Sequence, residues 1–264
     1  MGDSIHPSSA LKAYFGLHGQ DRKCGRSAPL AFGHAPLDGW LDGGLKRAQL
    51  HEILTENAKD MGAAAGFAAM LGLRSQQGDG PIVWLRTRDA ERHGGRFHAA
   101  GFAALGGDPA TVLLATFPNA VGMLRTAVDV LRCSGPSAVI VECRGNPRAF
   151  DLTASRRLTL AAGETGIPVF MLRLGAAAVP TTADTRWSVQ AAPSHALEAK
   201  APGYPVLVLT LLRRRGGPAG KSWLAEWDCE QRCFRDAALS GAMVSLPPGR
   251  QDTDCEEKRL VAIG

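Results

Sequence analysis

The residues best placed for phosphate chemistry form a short loop, Thr55-Glu56-Asn57-Ala58-Lys59-Asp60, between an apolar segment at 50–54 (LHEIL) and an alanine-rich run at 61–73. In an open α/β sheet, a strand-to-helix crossing of this kind brings an anionic ligand to a helix N-terminus. A working phosphate loop needs glycines so that backbone N–H groups can approach the ligand, a lysine for the outer phosphates and a hydroxyl for Mg²⁺. Here no glycine occurs before Gly62, and Lys59 stands two positions ahead of the place a lysine would take. Met61 and Gly62 occupy the Lys-Thr positions, Thr55 lies at the strand end, and Glu56 and Asp60 add negative charge where phosphate has to be accommodated. The position suits a nucleotide and the residues do not. Glu142, which ends the apolar run 138–141, is the remaining acid at a strand terminus. Without a cradle it reads as a relic that caps an N–H or pairs with an arginine.

A second kind of chemistry is offered by arginines. Arg213-Arg214-Arg215 precede Gly216-Gly217, with Lys221 close behind. Clustered guanidiniums suit phosphates or a partner's carboxylates, or form a plain solvated hairpin. Arg156-Arg157 lie one turn into a helix and do not share a face, so one of them touches DNA or a partner, or both are solvated. Arg186-Trp187 could stack on an exposed ligand, although Trp187 leads an apolar strand and is expected to be half-buried. Cys229 and Cys233 have ligand-like spacing but no second pair and no following histidine, so no metal site is expected. No G-x-S-x-G elbow supports serine hydrolysis, and no catalytic residue can be assigned.

The elements that must position these residues alternate. Strand-like segments at 50–54, 81–85, 112–116, 138–141, 169–174, 187–191, 206–212 and 223–227 are interleaved, over the first two thirds of the chain, with helical patterns at 61–73, 96–105, 121–132 and 152–165. That alternation predicts an α/β fold: a mostly parallel sheet flanked by helices, with an antiparallel extension at one edge. The chain has 264 residues, 45% of them hydrophobic and 21% charged, which excludes wholesale disorder. No apolar run approaches the roughly 18–20 residues of a membrane span. The N-terminus lacks a secretory pattern, and six scattered cysteines read as reduced thiols, so a cytoplasmic location is expected. A net charge of +5 leans weakly towards an anionic partner.

Several blocks then acquire a common meaning. The segment LDGWLDGGLKRAQLHEI (37–53) resembles the opening of the RecA recombinase core, and PIVWL (81–85), LGGDP (105–109), LLATFPNA (113–120) and AVIVEC (138–143) continue in register. DLTASRRL (151–158), TRW (185–187), RRRGG (213–217) and SWLAEWD (222–228) more closely resemble the ImuA family, RecA-like accessory proteins of the bacterial damage-induced mutagenesis cassette. The resemblance covers residues 37–228 and implies a RecA-like core. It also implies which residues matter for nucleotide chemistry. Arg86-Thr87-Arg88 replaces the water-activating acid, Arg173-Leu174 replaces the γ-phosphate-sensing glutamine, and Glu142 keeps the acid that ends the fourth strand. The two DNA-contacting loops, 144–150 and 175–183, look shortened. ATP hydrolysis by the RecA route, and ATP or Mg²⁺ as cofactors, are therefore not expected.

The resemblance implies a non-catalytic factor of the SOS response, active in translesion DNA synthesis. Its expected partners are an ImuB-type polymerase-like protein and a DnaE-class error-prone polymerase, with RecA and DNA as further candidates. Competing readings are a divergent ATP-binding ATPase, a stand-alone single-stranded DNA binder using Arg186, Arg213–Arg215 and Lys221, and, more remotely, a SulA-like septation inhibitor. The expected organisation is an N-terminal helix and linker (1–36), a degenerate RecA-like core (37–235) and a flexible C-terminal tail (236–264), with partner binding assigned to 8–18 or to the tail.

Overall fold

The computed structural model describes residues 7–18, 28–76, 78, 80–133, 135–194 and 203–237. The expected linker residues 19–27 and all but Asp236 and Ala237 of the expected tail lie outside these.

Five strands form the parallel heart of the sheet: β1 (Leu50–Thr55), β2 (Ile82–Thr87), β3 (Val112–Phe117), β4 (Ala138–Arg144) and β5 (Val169–Leu174). β6 (Thr185–Ala192) pairs parallel with β1, and β7 (Val206–Arg214), β8 (Ser222–Asp228) and β9 (Cys233–Asp236) extend the sheet in antiparallel fashion. The complete order is β3-β2-β4-β5-β1-β6-β7-β8-β9. The mostly parallel sheet with an antiparallel edge is thus observed. Every residue of β1, β2 and β5 is buried, because helices cover both faces and leave no polar side to alternate with.

Residues of opposite parity feed two cores. Ile53, Ile82, Ile140, Phe170 and Leu172 pack with α3 (Met61–Ser75). Leu50, Val83, Val139, Val169 and Met171 pack with α6 (Ala120–Leu131) and α7 (Leu152–Thr165). Trp187, Trp223 and Trp227 all join the α3 side; Trp187 is wholly buried rather than half-buried, because β6 is flanked by strands on both sides. α1 (Pro7–His18) lies against α6 and β3, burying Leu11 and Phe15 and pairing Lys12 with Asp129 at 2.8 Å.

Four elements depart from expectation. α2 (Ala35–Trp40) starts on the imidazole of His34, which accepts a hydrogen bond from the Leu37 N–H, and Leu30 bridges Leu45. Leu30 and Phe32 are buried in the main core, so the packed domain begins before Leu37, inside the stretch expected as a linker. α4 (Arg88–Gly94) was not expected as a helix; the Thr87 hydroxyl caps it through the Ala90 N–H, with acids in the first turn and basic residues in the last. The expected helix at 96–105 is shortened to α5 (Ala99–Ala104), because residues 95–98 are not helical and the chain enters the helix only at its extended cap, His98. β9 was not expected; of its four residues only Phe234 is buried, too little for a period to show.

Candidate functional site

The β1–α3 crossing brings together Thr55, Lys59, Asp60, Met61 and Gly62. Residues 58–60 form one 3-10 turn that runs directly into α3. The Thr55 hydroxyl is turned inward and donates to the Asn57 carbonyl at 2.9 Å. Asp60 is buried, and its carboxylate accepts from the Ala191 N–H of β6 at 3.3 Å, which ties the turn to the sheet. Lys59 is exposed, and a side chain at Gly62 would meet nothing within 4 Å, so no close backbone approach demands that glycine. The arch of glycines that a triphosphate cradle requires has no counterpart between Thr55 and Met61.

Glu142 sits near the carboxyl end of β4, opposite Arg86 of β2 in the parallel register. Its Oε1 accepts from the Arg86 guanidinium at 2.8 Å and its Oε2 from the Trp84 indole N–H at 2.7 Å. Both residues of the ion pair are almost wholly buried. Burial pushes the Glu142 pKa up, while Arg86 and the Trp84 hydrogen bond pull it back. α4 lies over the pair: a Cβ added to Gly94 would come 2.9 Å from Leu174 and 3.4 Å from Glu142 Oε1. Each carboxylate oxygen of Glu142 therefore already has an internal donor, an arginine on one and an indole N–H on the other, so both readings open from sequence are observed together.

A second carboxylate was not anticipated. Glu52, in the middle of β1, is fully buried and faces two arginines. Arg173 of β5 donates to its Oε1 at 3.3 Å, and Arg186 of β6 donates to its Oε2 at 2.7 Å. The Thr181 hydroxyl adds a bond to Oε2 at 2.9 Å. The guanidiniums are further held by the Ala177 carbonyl on Arg173 and the Val179 carbonyl on Arg186, and Arg173 lies 5.5 Å from the Phe150 ring centre. Thus Arg173 does not project towards a ligand position; it is locked to Glu52. Arg186, expected as a DNA or partner contact, is a buried member of the same cluster. The available signal was a charged residue inside each of three strands, LHEIL, VFMLRL and TRWSV, that the sheet places side by side.

His51 extends the buried polar layer. The Trp187 indole donates to the Thr185 hydroxyl at 2.8 Å, which in turn lies 2.8 Å from His51 Nδ1. His51 Nε2 lies 2.8 Å from the Lys46 carbonyl, which can only accept, so the proton resides on Nε2. Burial lowers the His51 pKa.

The remaining arginines separate. Arg213 donates to the Thr181 carbonyl at 2.9 Å, whereas Arg214 reaches the Trp40 carbonyl and Asp42 on the other side of the strand. Alternation along β7 therefore splits the Arg213–Arg215 triple. Arg215 is exposed, and Lys221 is also exposed, with its ammonium 4.5 Å from the Trp40 ring centre and 5.6 Å from that of Trp223. Arg156 and Arg157 are both exposed, and only Arg157 lines the groove between α6 and α7. Cys229 and Cys233 are free thiols flanking the β8–β9 turn. Among the described residues no group of three or more His, Cys, Asp or Glu side chains is placed to hold a metal ion, and no helix is long and apolar enough to cross a membrane.

The chain matches no family model and no curated protein. Among solved structures it is similar to the RadB recombinase, with a TM-score of 0.54 and 16% identity over 79% of this chain and 100% of that one. The RecA-like expectation therefore holds at the level of the fold: this chain is built as a RecA-like α/β sheet, with one buried arginine–glutamate pair near the carboxyl end of β4 and a second arginine–glutamate cluster in the middle of β1.

Proposed function

We propose that this chain is a non-catalytic, RecA-like accessory factor of damage-induced, error-prone translesion DNA synthesis in the cytoplasm. It acts through contacts with an ImuB-type polymerase-like protein and a DnaE-class polymerase, with RecA as a further partner. The observation that carries the non-catalytic part is the closed Arg86–Glu142 pair. An arginine neutralises the one acid that the family resemblance assigns to nucleotide chemistry, and a tryptophan takes its second oxygen. The compact turn from Thr55 to Met61 supports the same reading, since it leaves the outer phosphates no set of converging amides. The partners rest on the ImuA-like blocks DLTASRRL, TRW and SWLAEWD.

The stand-alone single-stranded DNA reading is weaker than the sequence suggested. Of the cations it invoked, Arg186, Arg213 and Arg214 are held by internal acceptors, which leaves Arg215 and Lys221. Co-purification of the full chain with ImuB, with and without nuclease, tests the proposal. Retention that survives nuclease is expected. Loss of ImuB on nuclease treatment, or no retention at all, would overturn the partner assignment.

A further inference from the structure

The groove between α6 and α7 is unlike the rest of the helical surface. Its α6 wall carries Val121, Leu124 and Val128 at helical spacing, and its α7 wall carries Ala154, Leu160 and Ala161. It encloses about 670 Å³. Val121 and Leu160 are 46% and 57% exposed, so an apolar strip faces solvent between the two helices. Arg125, Arg132 and Arg157 also line the groove, all exposed and none within ion-pair distance of a carboxylate among the described residues. Of the two acids present, Asp129 is already paired with Lys12 at 2.8 Å, which leaves Glu164 alone against three guanidiniums. An apolar floor with surplus positive charge fits a segment that combines aliphatic side chains with carboxylates.

Such a segment exists in the same chain. Residues 252–263 read DTDCEEKRLVAI: Asp252, Asp254, Glu256 and Glu257 precede Leu260-Val261-Ala262-Ile263, with Lys258 and Arg259 between them. We propose that this segment docks in the α6–α7 groove of its own chain, its carboxylates on Arg125, Arg132 and Arg157 and its aliphatic residues over the Val121–Leu160 strip. The length permits it. β9 lies six strand positions from β4, beneath α6 and α7, or roughly 29 Å at ~4.8 Å per strand. Residues 238–251 can span roughly 46 Å at ~3.3 Å each. Docking there makes the segment a competitor for any acidic partner peptide that uses the groove, because a tethered ligand acts at a high effective concentration.

Cys255, placed among the acids, provides the test. In the full-length chain carrying Cys133→Ser, the substitution Leu160→Cys puts a thiol one helical turn from Arg157. The reference substitution Leu224→Cys puts one on the exposed face of β8, beside the strand from which the tail departs. Copper-phenanthroline oxidation followed by non-reducing peptide mapping is expected to give an intramolecular disulfide to Cys255. It should form at least tenfold faster from position 160 than from 224, and slow at least fivefold with Arg125→Glu/Arg157→Glu. Comparable rates at the two positions, insensitivity to the charge reversal, or a disulfide formed only between chains would each overturn the proposal.

Discussion

Two buried carboxylates, Glu142 and Glu52, face arginines across neighbouring strands of one sheet, yet they differ in every respect that matters. Glu142 stands near the carboxyl end of β4 with a single arginine and an indole N–H, and it lies under the short helix α4. Glu52 stands mid-strand with two arginines and a threonine, between β5 and β6. The first pair is neutral, and the second cluster holds two cations against one anion. The first holds an acid at a place where the resemblance assigns chemistry; the second draws in Arg173, from the place of the phosphate-sensing glutamine, and ties β1, β5 and β6 together. The same ion-pair chemistry thus gives both carboxylate oxygens internal donors at one site and joins three strands at the other.

This contrast can be tested by removing one partner at a time. The largest effect is expected for Glu52→Ala, which leaves Arg173 and Arg186 buried without an anion. Loss of one partner of a buried pair costs about 3–5 kcal/mol, and a drop of that size in urea or guanidinium unfolding is predicted. Next comes Glu142→Ala, which strands a single guanidinium, Arg86, and should cost about 3 kcal/mol by the same reasoning. Replacing both members with apolar residues, Arg86→Met/Glu142→Leu, leaves only the Trp84 indole N–H without its acceptor and should bring stability back to within about 1–2 kcal/mol of the unaltered chain. If the double variant were as unstable as Glu142→Ala, the pair would be doing more than closing its site.

A smaller effect is expected from pH. The folded-state pKa of His51 is lowered by burial, so its neutral form favours the fold at all pH values above the unfolded value of about 6.5. As pH falls below that value the unfolded chain takes up a proton that the folded chain refuses, and stability declines. The stability difference between the unaltered chain and His51→Gln, followed by denaturant titration from pH 8 to 5, should therefore narrow only below about pH 6.5. A difference independent of pH would remove His51 from the buried polar layer. The smallest effects are predicted for Arg156→Ala and Arg215→Ala, exposed and outside any ion pair among the described residues, which should stay within about 0.5 kcal/mol. Arg214→Ala, which gives up its bonds to Trp40 and Asp42, should exceed them.

Much of the fold was legible in the sequence because it follows from repeated local signals. Runs such as PIVWL and AVIVE can only be strands buried on both faces, and VGMLRTAVDVL shows a helical stripe directly. The order of the strands in the sheet is set by packing that no local pattern encodes. α4 was hidden because RDAERHG has no apolar stripe; only its cap at Thr87 and its charge gradient announce it. β9 was hidden because CFRD buries one side chain.

The candidate site was half legible. The absence of glycine before Gly62 could be read outright, and Glu142 could be flagged as an acid that caps an N–H or pairs with an arginine. The Glu52 cluster could not be assembled, since its members come from β1, β5, β6 and the loop at Thr181, brought together only by the tertiary register. The arginine triple misled for a related reason. Sequence adjacency suggests one patch, whereas alternation along a strand sends Arg213 and Arg214 to opposite sides.

The central claim is that the RecA-like sheet has exchanged its nucleotide site for a closed ion pair. Equilibrium titration of the full chain with a fluorescent ATP analogue in the presence of Mg²⁺ tests it most directly. No saturable binding up to about 1 mM nucleotide is predicted, a level at which any residual standard free energy would be weaker than about −4 kcal/mol. Saturation in the micromolar range would contradict it.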